Sequence, residues 1–142
     1  MTLEVAHEAW KLGEAVDGHV EFATAGQLEA VISGAGSEHQ AGFIKFRFEQ
    51  VGGVSVEPTW PLDCESYTIR PDEPLISPMR KSGTYDRNEP GWEFYYNFLK
   101  DPLLRLPSGT WRISALAWFY DGAGCEAASH RLTATVEIEV SE

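Results

Sequence analysis

His130-Arg131-Leu132-Thr133-Ala134-Thr135-Val136-Glu137-Ile138-Glu139-Val140 alternates without a break. Leu132, Ala134, Val136, Ile138 and Val140 fall on one side, and Arg131, Thr133, Thr135, Glu137 and Glu139 on the other. A period of two sends successive side chains to opposite faces of a strand. The segment therefore reads as a half-buried antiparallel strand, the last of the chain, with its apolar face on a core.

The stretch before it, 110–120, repeats the pattern with a difference. Trp111, Ile113, Ala115, Ala117 and Phe119 share one face, while Leu116, Trp118 and Tyr120 share the other with Arg112 and Ser114. A strand that is apolar on both faces near its end is central in its sheet or covered by something. Asp121-Gly122 and Gly124 supply turn residues between the two strands, so 110–140 forms a hairpin with a long tip.

Upstream, Ile44, Phe46 and Phe48 face inward against Lys45, Arg47 and Glu49, and Gly52-Gly53 ends that strand. Val54-Ser55-Val56 continues it after a kink. Segments 18–23, 28–32 and 66–69 give further short strands, and 3–10 an edge strand anchored by Trp10. The run 92–99 is aromatic at most positions and bounded by Pro90 and Pro102; it is expected to be a strand or an aromatic crossing segment. Segment 72–88, with Pro74, Pro78 and Gly83, is expected to be a long loop. Seven to nine short strands without alternating helices imply one all-β domain over 1–142, an antiparallel β-sandwich.

Leu106-Pro107-Ser108-Gly109-Thr110-Trp111-Arg112-Ile113-Ser114-Ala115 resembles the corner that leads into the penultimate strand of bacterial immunoglobulin-like and fibronectin type III-like modules. The resemblance implies an immunoglobulin-like sandwich, with Trp111 where tyrosine is more usual. A tyrosine hydroxyl would bond back to the backbone. An indole can offer only its N–H, so any such bond here must differ.

A chain of 142 residues can bury roughly two thirds of its surface, enough for a core without metal. The net charge of −11 would repel a phosphate backbone, so nucleic acid is not an expected partner. It also keeps a β-rich chain soluble, as a monomer or weak oligomer. No apolar stretch is long enough to cross a bilayer, so no membrane insertion is expected. Met1-Thr2-Leu3-Glu4-Val5 has neither a basic nor an apolar leader, so no signal peptide is expected in this chain. A secreted or cell-surface location is favoured all the same.

Cys64 and Cys125 lie near predicted strand ends and are a disulfide candidate; two free thiols are the alternative. Cys64 sits between Asp63 and Glu65, and acidic neighbours raise a thiol pKa, the wrong direction for a nucleophile. No catalytic motif occurs, so no enzyme is expected. His7, His19, His39 and His130 are scattered, and no metal site is expected from them. Asp72-Glu73, Asp86 with Glu89, and Asp121 with Glu126 are loop carboxylates that leave calcium as the one alternative to having no cofactor.

Trp60, Phe94 and Phe98 are expected in the core, leaving Trp92, Tyr95, Tyr96, Trp118 and Tyr120 as candidate binding residues. The leading expectation is a non-catalytic module that binds a protein or a glycan. The alternatives are an immunoglobulin-like proteinase inhibitor acting through the 72–88 loop, and a carboxylate-based enzyme.

Overall fold

A computed structural model describes residues 1–36 and 41–142, and His39 lies outside the described residues. In chain order the elements are β1 (Thr2–Val5), β2 (Ala9–Lys11), β3 (Gly18–Phe22), β4 (Ala30–Gly34), β5 (Ile44–Gln50), β6 (Ser55–Val56), β7 (Glu65–Ile69), β8 (Leu75–Pro78), α1 (Trp92–Lys100), β9 (Gly109–Asp121) and β10 (Ser129–Ser141). The chain is mostly β, and all strand pairs are antiparallel except β2 with β10.

One sheet has three strands in the order β1-β3-β8; the other has seven, built around β9. β10 pairs with β9 along nearly its whole length, from Gly109↔Val140 to Tyr120↔Ser129. The opposite edge of β9 is shared. β5 covers it from Gln50↔Trp111 to Ile44↔Ala117, and β4 from Gly34↔Phe119 to Ile32↔Asp121. Trp118 falls between them, and its backbone N–H donates to the Phe43 carbonyl at 3.1 Å.

The inward side chains follow the period of two. Ile44, Phe46 and Phe48 on β5 and Trp111, Ile113, Ala115 and Ala117 on β9 are buried. Phe22 of the small sheet meets Phe43 at 5.1 Å and Phe119 at 5.3 Å in edge contacts. The two sheets therefore face each other across one core. Trp111 is 0% exposed, and its indole N–H donates to the Pro107 carbonyl at 2.8 Å.

Several expectations are corrected. Residues 92–99 are not a strand but most of helix α1. Phe94, Tyr95, Phe98 and Leu99 form the helical face that packs on the core, with Phe98 buried. A run that is apolar at most positions satisfies a period of two and of 3.6 alike, which is why it misleads. The helix ends on Lys81, whose ammonium donates to Phe98 O at 2.6 Å, Leu103 O at 2.7 Å and Asp101 O. A cation there satisfies orphan carbonyls and complements the helix dipole.

The 72–88 segment is not an unbroken loop, since it contains β8 paired with β3. β8 is an edge strand, where Pro78 costs no ladder bond. The expected edge strand 3–10 is two strands, one per sheet, with a bend between. The first half of β10 is not core: Leu132 is 41% exposed and Val136 half-buried, while Ile138 and Val140 are buried.

Cys64 and Cys125 form a disulfide with Cα atoms 6.3 Å apart, well within bridging distance. It ties the start of β7 to the hairpin tip. Cys125 N–H also donates to Ser33 Oγ at 2.9 Å, and Gly122 N–H to Val31 O at 3.0 Å.

Two outcomes follow from these contacts. Closing 61 residues constrains the unfolded chain, so reductant should lower unfolding stability by about 4 kcal/mol. Urea unfolding with and without reductant measures it. Trp111→Phe strands the Pro107 carbonyl and should cost about 1–3 kcal/mol, read in the same assay.

Candidate binding site

The outward face of β9 carries Leu116, Trp118 and Tyr120, and the chain brings a cover to it. Residues 57–64 link β6 to β7, with Pro58 and Pro61 stiffening the backbone on either side of Trp60. β6 holds one end of this link by pairing with β5, and the disulfide holds the other. Asp63 Oδ1 also accepts the Gly36 N–H at 3.2 Å. So held, Trp60 stands edge-on to Trp118, with ring centres 5.7 Å apart and planes at 82°.

Trp118 in turn contacts Tyr120 at 6.2 Å. The Arg131 guanidinium lies 4.7 Å from the Trp118 ring centre, within cation–π range. The cross-strand register explains the placement, since Arg131 pairs with Trp118 across β10 and β9.

A cleft of about 350 Å³ opens beside this group. Leu116 and Trp118 form its floor, Pro58 and Trp60 one wall, and Arg131 and Thr133 the other. Arg47 and Glu57 close the rim with an ion pair of 2.8 Å. Glu57 is well exposed, so this pair adds little stability and its groups can exchange partners. Across the Trp60–Trp118 pair, a second hollow of about 170 Å³ runs to the disulfide beneath Leu62, whose side chain is fully exposed.

Burial lowers the Lys45 pKa, with Arg80 adding to the effect and Asp63 opposing it. Burial likewise raises the Tyr67 pKa above its ordinary value of 10.0, reinforced by Glu65. The Tyr67 hydroxyl donates to Ala35 O at 2.7 Å and so braces the chain beneath the second hollow.

The five expected binding residues fall into two clusters. Trp118 and Tyr120 lie on the β9 face, as their register predicts. Trp92 and Tyr96 lie on α1 with Tyr85, at 6.1 Å and 5.5 Å from its ring, and Tyr95 packs on Phe94. All five are half-buried. Trp60, expected in the core, is instead a wall of the cleft, and Arg131 was not singled out at all. A tryptophan between two prolines is a signal for the first; the second needed the β10 register.

Cys64 is bonded, so no thiol nucleophile exists there. His130 pairs with Asp121 at 2.9 Å, His19 with Glu4 at 3.4 Å, and His7 packs on Trp10. Among the described residues, no three His, Cys, Asp or Glu side chains converge on a point where a metal ion could sit. No family model, curated protein or solved structure matches the chain.

Tyr67 gives the site a pH dependence. Its raised pKa means the folded state holds the phenol proton more tightly than the unfolded state does. That stability is complete below the ordinary pKa of 10.0 and is lost as pH rises through the folded value. Tyr67→Phe should remove this alkaline loss while leaving stability at neutral pH lower by one hydrogen bond, roughly 1 kcal/mol. Urea midpoints at neutral and alkaline pH separate the two effects.

Proposed function

We propose that this chain is a non-catalytic binding module of immunoglobulin-like form, which takes a glycan in the cleft beside Trp60 and Trp118. Strand order supports the form. A β1-β3-β8 sheet opposite β10-β9-β5 matches strands A-B-E opposite G-F-C of an immunoglobulin sandwich, with β6 and β7 as additional edge strands. The Trp111 bond to Pro107 takes the place of the tyrosine corner.

The observation that carries the function is the pairing of half-exposed tryptophan surface with polar groups around one small cleft. Indole offers the apolar C–H face of a sugar a flat partner, while Arg47, Glu57, Arg131 and Thr133 offer hydrogen bonds to its hydroxyls. A volume of about 350 Å³ falls at the small end of the roughly 300–1,000 Å³ usual for compact ligands, which favours a sugar over a flat protein epitope. Glu57 is the one carboxylate among the described residues lining the cleft, and Arg47 holds it. A carboxylate-pair enzyme finds no second acid there. The inhibitor reading loses four residues of its loop to β8.

The disulfide supports a secreted or cell-surface location, where such bonds persist. It also makes the cleft depend on oxidation, because it holds the segment that carries Trp60.

A glycan array read with the wild type and Trp118→Ala tests the proposal. Loss of one stacking partner should weaken any hit by about tenfold or more, and Trp60→Ala should do the same. A hit that both variants bind as well as the wild type would sink the reading. A protein ligand lost in both variants would move it from glycan to protein at the same cleft.

A further inference from the structure

We infer that the aromatic cluster on α1 is a second, separate site, and that it takes an organic cation of the quaternary ammonium class. Three rings meet there: Tyr85, Trp92 and Tyr96. Tyr85 and Trp92 stack at 23°, while Tyr96 stands at 78° to the first and 65° to the second. Rings set at such angles make a corner. A corner of π faces suits a rounded cation, which is attracted by the negative face of each ring.

The chain's own cations already find these faces. The Arg87 guanidinium lies 5.3 Å from the Trp92 ring centre, and the Lys100 ammonium 5.4 Å from that of Tyr96. Two of the three rings, Tyr85 and Trp92, line a hollow of about 280 Å³ together with Tyr95, Asp86 and Glu89. Asp86 is oriented by the Asn88 N–H at 2.9 Å. The partial positive charge at the start of α1 opposes a cation, but Glu93 in the first turn joins the two carboxylates against it. The net charge of −11 also attracts cations to the molecule as a whole.

Chemistry then selects among cations. A small metal ion or a primary ammonium is strongly hydrated and gains little from a ring. A tetraalkylammonium is weakly hydrated and presents a shell of C–H groups, so ring contact is its best environment. The contrast with the other cleft is one of sign. There arginines line the walls, whereas here carboxylates do.

Tetramethylammonium chloride, titrated against tryptophan fluorescence with sodium chloride at equal ionic strength as control, tests the inference. Saturable change with tetramethylammonium alone is expected, weakened about tenfold in Trp92→Leu. Arg87→Ala frees a ring face and should tighten binding. Glu89→Gln, an exposed change that leaves the fold intact, should weaken it severalfold and stands in should Trp92→Leu not fold. An equal response to sodium chloride, a signal undiminished in Trp92→Leu, or an affinity unchanged in Glu89→Gln would each overturn the site. Because Trp118→Ala should leave this titration untouched, its failure is distinct from failure of the glycan cleft.

Discussion

Strand β9 is bonded along both edges, and one of those edges has a break in it. The chain leaves the ladder after Gly34 and returns at Ile44, opposite positions 119 and 117 of β9. Between those two positions Trp118 has no strand partner on this edge among the described residues, and its N–H goes to Phe43 O instead. β4 and β5 run in the same direction on either side of the break, so each acquires its own outer neighbour, β7 for one and β6 for the other. The link from β6 to β7 must then pass near the break, and it carries Trp60 with it. The cleft exists because the sheet changes neighbours at this point.

The parts of the fold governed by a period of two were legible. β5, β9 and β10 could be drawn from alternation alone, and so could the outward direction of Trp118. What alternation cannot report is whether a second layer lies over a given length of strand. Leu132 obeys the pattern of Ile138 yet stays exposed, because burial depends on what lies over the strand face. β8 was hidden by its prolines, which read as loop although an edge strand tolerates them. α1 was hidden by excess, since six of the eight residues from Trp92 to Leu99 are apolar or aromatic. Its end is fixed by Lys81, seventeen residues before its Phe98 partner, and no local rule finds such a contact.

The candidate site was legible by halves. Trp118 stood out because an apolar residue on a polar face asks for a cover. The identity of that cover, Trp60, rests on strand pairing and on a disulfide that spans 61 residues. Aromatic content alone merged two surfaces that the structure separates. They differ in charge as well as place, with Arg47 and Arg131 at one and Asp86 and Glu89 at the other. An acidic chain that gathers arginines around one pair of tryptophans has two electrostatic characters on one small scaffold.

The parallel pairing of β2 with β10 has a mechanical consequence. β2 lies near the start of the chain and β10 near its end, side by side and pointing the same way. Tension that pulls the chain apart at these two strands drags them in opposite directions along their common axis. The bonds along this seam, including Glu139 N–H to the O of Glu8 just before β2 at 2.9 Å, are then loaded in shear and must yield together instead of unzipping singly. Trp10 is 7% exposed beside this seam, so sliding would also expose a buried indole to water. The short β2 therefore acts as a clasp, and under load its rate of rupture, more than equilibrium stability, governs how long the domain stays shut.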